Sequence, residues 1–460
     1  MTADDTARAR DAAHHLHPYT DPGVHERTGP HIITRGEGIH VWDTDGNAYI
    51  EGLAGLWCVT LGFSEPRLVD AAKRQMETLP FYHSFGGRAP EVVGELAERL
   101  IAQAPGAMNR VFFTNSGSEA NDSLIKLTWA CNNGLGRPEK KKIIARQGSY
   151  HGITLATAGL THLPYARTGF DVPLNDRFLA TTCPNHFREA RPDESEEAFA
   201  DRLAADLDRL IEAEGPHTVA AFIAEPVLGA GGVIPPPATY FDKVQAVLKK
   251  HDVFLIADEV ICGFGRTGNR FGSETYGLDP DMVTLAKGLS SGYQPIGAAL
   301  MSERVYEGVK AAAAETGMLG TGFTYSGHPV PVAVALEALR LYEERDVVGM
   351  TRARTPHFQA RLHALADHPL VGDTRGVGLL GGVEVVADPA TGARFDPATG
   401  AAKVAARHCM DHGLFVRPLP GDTLGVCPPL IITEAEIDAL FDRLRAGLDS
   451  AADALGVPRG

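Results

Sequence analysis

Two charged side chains stand where apolar runs end. Asp258 directly follows VFLIA (253–257), and Lys287 follows MVTLA (282–286). An aspartate after a strand is ordinarily a helix cap, and a lysine is ordinarily solvated. Both at equivalent ends of neighbouring strands, 29 residues apart, mark the edge of an open sheet where ligands bind. A lysine amine that forms a Schiff base, with a carboxylate that keeps a ring nitrogen protonated, is the pair that pyridoxal phosphate requires. The protonated ring absorbs the electrons left when a Cα–H bond breaks. The cofactor also needs an anion cradle. Thr114-Asn-Ser-Gly117-Ser118-Glu-Ala supplies a glycine turn with hydroxyls at a helix start, where free N–H groups and the helix dipole favour a phosphate.

The elements that must position these groups are legible as alternating strands and helices. RVFFT (110–114), KIIAR (142–146), VAAFIA (219–224), VFLIA and MVTLA are short, continuous apolar runs, the signature of a parallel sheet covered on both faces. Between them, Phe199, Leu203, Leu207, Leu210 and Ile211 form a helical stripe that stops at Gly215. A second helix is expected over Thr239–Lys250 and a third opens at Pro90. HVWDTDGNAYIE reads as a hairpin around Asp45-Gly46. Beyond Pro329 the helices lengthen, and one opens with the capping box Thr433…Glu436. The fold class is therefore α/β, with a large, mostly parallel-sheet domain over 80–325. A smaller α+β domain is expected from residues 326–460 together with the amino-terminal segment 1–79.

The composition narrows the partners. With 43 basic and 58 acidic residues the net charge is −15, which argues against nucleic acid. No run reaches the length of a membrane span, and no apolar leader is visible, so the expected location is the cytoplasm. Six cysteines lack any C-x-x-C spacing and read as reduced thiols. His14, His15 and His17 have metal-ligating chemistry, but a polar terminus is the expected reading, and no metal is assigned. Two motifs mislead. Gly263-Phe-Gly265-Arg-Thr-Gly268 satisfies the dinucleotide fingerprint, but no helical periodicity follows it. Gly288-Leu-Ser290-Ser-Gly292 satisfies the serine-hydrolase elbow, but Tyr293-Gln-Pro295 denies the helix that the elbow requires.

With these residues in place the chain resembles the class III, pyridoxal-phosphate-dependent aminotransferases of fold type I. The resemblance runs through FFTNSGSEAND, SYHG (149–152), AEPV (224–227), FLIADEVICGFGRTG (254–268), TLAKGLSSGYQPIGA and GFTYSGHP (322–329). It implies that Lys287 is the Schiff-base lysine and proton shuttle, and that Asp258 pairs with the ring nitrogen. Gly117 and Ser118 would hold the phosphate. Phe323 and Thr324 would join the cofactor site, Thr324 reaching the phosphate from a second subunit. Tyr150 would stack on one ring face, Val260 on the other, and Glu225 would orient hydrogen bonds beside the ring.

Leu56-Trp57-Cys58-Val59, with Phe85 and Tyr150, looks like the amine–pyruvate, or ω-aminotransferase, branch. Trp57, Phe85, Tyr150 and Ile153 would then line the substrate pocket. Arg417, in FVRPLPGD, would be the mobile arginine that pairs with pyruvate's carboxylate. The expected reaction moves an amino group from an amine or ω-amino acid to pyruvate by ping-pong kinetics. The expected assembly is a homodimer with shared sites, with a tetramer left open. The rival readings are a mutase or epimerase on the same cofactor and, more remotely, a serine hydrolase acting through Ser290.

Overall fold

The computed structural model describes residues 3–172 and 176–458. A seven-stranded sheet forms its centre, in the order Met108–Thr114, Gly297–Ser302, Met282–Leu285, Phe254–Asp258, Val219–Ala224, Lys142–Arg146 and Phe178–Thr181. Gly297–Ser302 runs antiparallel to both neighbours, and every other pairing is parallel. The three middle strands 219–224, 254–258 and 282–285 are buried along their whole length. Their largely apolar runs require helices on both faces, and helices Gly117–Gly134 and Tyr240–Lys250 are among those that pack there.

All five expected strands are present. Two more were not expected, for separate reasons. Phe178–Thr181 is a half-buried edge strand of four residues. Gly297–Ser302 is built from GAALMS, whose glycine and alanines carry little strand propensity.

Two four-stranded sheets complete the fold. One comprises the expected hairpin, with Trp42 opposite Ala48, joined by Ile33–Glu37 and by a parallel pairing of Ala48–Glu51 with Leu414–Phe415. The other is antiparallel, in the order Val371–Val377, Leu380–Val385, Thr423–Val426 and Arg417–Leu419. The capping box at Thr433 and Glu436 is formed and starts helix Glu434–Leu455. All six cysteines are free thiols. Among the described residues, no helix is long and apolar enough to cross a membrane.

Candidate active site

The strand ends converge. Thr114 is registered with Gly297 and Leu285 with Ala298, so the segments that follow strands 108–114 and 282–285 leave the same edge of the sheet. The segments after Arg146, Ala224 and Asp258 leave it too, because those strands run parallel to 282–285. Between them lies a cavity of about 460 Å³ lined by Gly117, Ser118, Tyr150, Glu225, Asp258, Val260 and Lys287, among others. These seven sequence-predicted residues are brought together from five separate segments.

Asp258 is buried at its strand end. Its Oδ2 accepts hydrogen bonds from Asn121 Nδ2 and His151 Nδ1, each at 2.8 Å, and its Oδ1 accepts the backbone N–H of Val260 at 3.2 Å. Burial pushes this carboxyl up, but the hydrogen bond and charge of His151, the Asn121 amide and the Val260 N–H outweigh it. Asp258 therefore titrates below its ordinary value. Asn121 is fixed in turn: its Nδ2 also donates to the His151 carbonyl at 2.8 Å, and its Oδ1 accepts from Thr284 Oγ1 at 2.5 Å. The carboxylate is thus held charged at one end of a buried polar chain.

Glu225 is buried, and its Oε1 accepts the Tyr150 N–H at 3.0 Å while Oε2 accepts the Gly229 N–H at 2.9 Å. Burial pushes its carboxyl up. The Tyr150 hydroxyl lies 3.2 Å from that of Tyr19, and the Tyr19 ring meets Tyr165 edge-on at 5.5 Å between centroids. Burial raises both Tyr150 and Tyr165, the latter to about 12, and the charge of Arg417 pulls each back. Arg417 therefore acts electrostatically on the tyrosine side of the cavity.

Lys287 begins a single 3₁₀ turn with φ 42°, a left-handed conformation rare for a residue with a Cβ. Its Nζ stands 5.9 Å from the centroid of the Trp57 ring, and the Arg417 guanidinium carbon stands 5.2 Å from the same centroid. Trp57 is buried, with φ 59° and an indole N–H that has no hydrogen-bond partner among the described residues. Ser290 ends the turn and donates to the Gln294 carbonyl at 2.5 Å, so the structure makes it a turn residue rather than an elbow nucleophile. The glycine loop 263–268 likewise opens onto turns. Its Arg266 is buried and donates to the carbonyls of Leu379 and Pro428 at 3.1 and 2.6 Å, clasping the carboxyl-terminal part of the chain.

At the other end of the cavity, Ser116 caps helix Gly117–Gly134 by accepting the Glu119 N–H at 3.1 Å. The N–H groups of the helix's first turn have no intrahelical acceptor. A Cβ on Gly117 would lie 3.1 Å from Val260 Cγ2 and 3.6 Å from Ala286 Cβ. The bare glycine therefore leaves room for a ligand between the helix start and Val260. Ser118 Oγ accepts the Ile153 N–H at 3.2 Å.

The remaining sequence-predicted residues lie apart from the cavity wall. Ile153 is 48% and Phe85 47% exposed. Thr324 is exposed and Phe323 half-buried on the loop before helix Pro329–Glu344. Phe85 faces that loop, its ring 3.2 Å from where a Cβ on Gly322 would stand. Sequence reasoning missed Asn121, His151, Thr284 and Tyr19. Thr284 did leave a signal, as the one polar residue within the buried run MVTLA.

The family description Aminotransferase class-III matches residues 23–448. The gamma aminobutyrate transaminase 1, mitochondrial, of Solanum lycopersicum is 50% identical over 427 residues, covering 93% of this chain and 82% of that protein. The probable gamma-aminobutyrate transaminase 2, mitochondrial, of Oryza sativa subsp. indica is 50% identical over 426 residues, covering 92% and 85%. Among solved structures, the omega transaminase from Pseudomonas jessenii in complex with PMP superposes with a TM-score of 0.96 at 49% identity, covering 98% of this chain and 99% of that one.

Proposed function

The chain belongs to the class III aminotransferases, of fold type I, and from that premise we propose that it transfers an amino group from an amine or ω-amino acid to pyruvate. Its cofactor is pyridoxal 5′-phosphate. The cavity fits that group: a buried carboxylate, an amine and a helix start opened by Gly117 face one space. When bound, the cofactor supplies an electron sink for Cα–H cleavage.

The chain's own residues would do the rest. Lys287 would anchor the cofactor through its amine and carry the proton to and from the substrate Cα. Asp258, kept ionised by three donors, would hold a proton on the ring nitrogen. Gly117 and Ser118 would bind the phosphate, and Val260 and Tyr150 would confine the ring's two faces. Glu225 would set the position of Tyr150 through its backbone N–H.

The observation that carries the substrate reading is the shared tryptophan. Lys287 and Arg417 are both within 6 Å of the Trp57 ring centroid, with Tyr150 and Tyr165 in the same field. An aromatic wall accepts an apolar amine, and a guanidinium on a short edge strand can pair with a keto acid's carboxylate. The transaminases named for γ-aminobutyrate support a donor that itself carries a carboxylate; the likeness to omega transaminases supports simple amines. Pyruvate would accept from either.

A homodimer completes the proposal. Phe81, Tyr82, Phe85, Met318, Leu319 and Tyr325 are each at least 39% exposed, and a large exposed apolar patch marks an interface. That interface would bring Phe85 and Thr324 of the partner subunit to the cavity. The test is alanine formation from pyruvate with a donor panel. Alanine produced from simple amines and ω-amino acids supports the reading. Pyruvate-independent rearrangement of a single amine would replace it with a mutase. Normal turnover by Lys287→Ala would end it.

A further inference from the structure

The amino-terminal histidines are not a loose polar end. His15 and His17 follow helix Ala3–His14 and face helix Pro22–Thr28, which carries His25. Asp11 Oδ1 lies 2.7 Å from His17 Nε2 and 3.1 Å from His25 Nε2, and Asp11 Oδ2 lies 3.1 Å from His15 Nδ1. The rings lie close but tilted, with centroids 4.3 Å apart for His15 and His17 and 4.0 Å for His17 and His25. His25 is only 7% exposed. The three imidazoles line a cavity of about 240 Å³, to which Glu26 also contributes.

We propose that Asp11, His15 and His17 bind a divalent transition-metal ion of the zinc or cobalt kind. One ligand atom from each lies within 4.8 Å of the other two, with His25 beside them on the same carboxylate. Two imidazole nitrogens and one carboxylate oxygen are ligands that zinc accepts at about 2.0 to 2.1 Å, with a fourth tetrahedral position open.

A second cluster provides the contrast. Asp208, Glu212 and His251 also gather their ligand atoms, but Lys250 Nζ sits 2.8 Å from Asp208 and 3.5 Å from Glu212. That site already has its cation. Among the described residues, the ion-pair partners of Asp11 are His15, His17 and His25.

The metal would act on the segment that follows its ligands. Tyr19, just beyond His17, has φ 54° and reaches Tyr150. Tying His17 down holds Tyr19 at the cavity; that consequence rests on the function proposed above, whereas metal uptake does not.

The experiment is calorimetric titration of zinc chloride into the full-length holoenzyme, with cobalt chloride for its visible d–d spectrum. One ion per chain is expected, with a tetrahedral cobalt spectrum. His17→Gln, which keeps a donor toward Asp11, and His15→Ala are each expected to weaken binding about 100-fold or more, with the cofactor absorbance unchanged. Zinc should also raise hydrogen-exchange protection across Leu16–Asp21. Absence of saturable uptake, or uptake indifferent to both variants, overturns the site. Uptake without added protection overturns the pinning of Tyr19.

Discussion

Replacing Arg417 with alanine should sort substrates by whether they carry a carboxylate. The guanidinium is half-exposed on the edge strand Arg417–Leu419 and stands 5.2 Å from the Trp57 centroid. A carboxylate about 4 Å away gains roughly 4 kcal/mol at an effective dielectric constant near 20. Desolvation and partial exposure reduce this to about 2 to 3 kcal/mol, the range of a hydrogen bond to a charged group. The expected loss in kcat/KM is therefore about 30- to 150-fold for pyruvate and for γ-aminobutyrate. Loss of the stacking on Trp57, about 0.5 to 1 kcal/mol, touches every substrate alike. It cancels when γ-aminobutyrate is compared with 1-phenylethylamine in the same variant. The assay is the rate of each half-reaction, followed by the cofactor's absorbance change under single-turnover conditions. Arg417→Lys should recover only part of the loss, because an ammonium lacks the planar fork. Equal losses for the two donors, or an unchanged pyruvate half-reaction, would refute the assignment.

Three further expectations follow from particular contacts. Asp258→Asn leaves two donors on Oδ2, so its amide must turn toward the Val260 N–H; removing a buried paired charge costs about 3 to 5 kcal/mol. Turnover should fall by roughly 10²- to 10³-fold while the circular dichroism spectrum is kept, and turnover within about tenfold of the parent would count against the role. Gly117→Ala puts a Cβ 3.1 Å from Val260 Cγ2, while alanine gains up to about 1 kcal/mol of helix propensity. Thermal stability should hardly change, whereas cofactor loss on dialysis should accelerate; unchanged retention would remove the cradle. Glu51 is pushed up from 4.5 to about 7 by burial, with the Leu53 N–H opposing. Its native state holds the proton more tightly than the unfolded chain does. That stability is whole below pH 4.5 and is lost as pH rises toward 7, by about 3 kcal/mol. In urea denaturation, Glu51→Gln should flatten the difference between acid and neutral pH by that order, and a retained difference would reject it.

The fold was legible where pattern and burial coincide. Runs such as VAAFIA are buried along their whole length, so composition alone names the strand and its two covered faces. It failed where they diverge. Phe178–Thr181 pairs with one neighbour at the sheet edge, and GAALMS holds its place through pairing on both sides rather than through side chains that prefer extended backbone. The reversed direction of that strand is equally silent in its residues. Gly297 must be bare because a Cβ there would stand 2.5 Å from the Ser116 carbonyl and from Thr114 Oγ1, a requirement set by residues 181 and 183 positions away.

The same division runs through the site. Lys287 and Asp258 stood out because a charge at the end of an apolar run is costly unless it has work to do. The groups that make Asp258 usable did not stand out. Asn121 lies on a helix between Ala120 and Asp122, where nothing in its immediate sequence distinguishes a buried amide from a solvated one. Yet it is 1% exposed and binds Asp258, the His151 carbonyl and Thr284 at once. Thr284 sits opposite Asp258 in the strand register, and its hydroxyl orients the amide that holds the carboxylate. A hydroxyl inside a fully buried strand must find a partner, and here that partner fixes a charge beside the strand that leads to Lys287. The polar residue that interrupts an apolar run is therefore the sequence feature from which the supporting network can be traced.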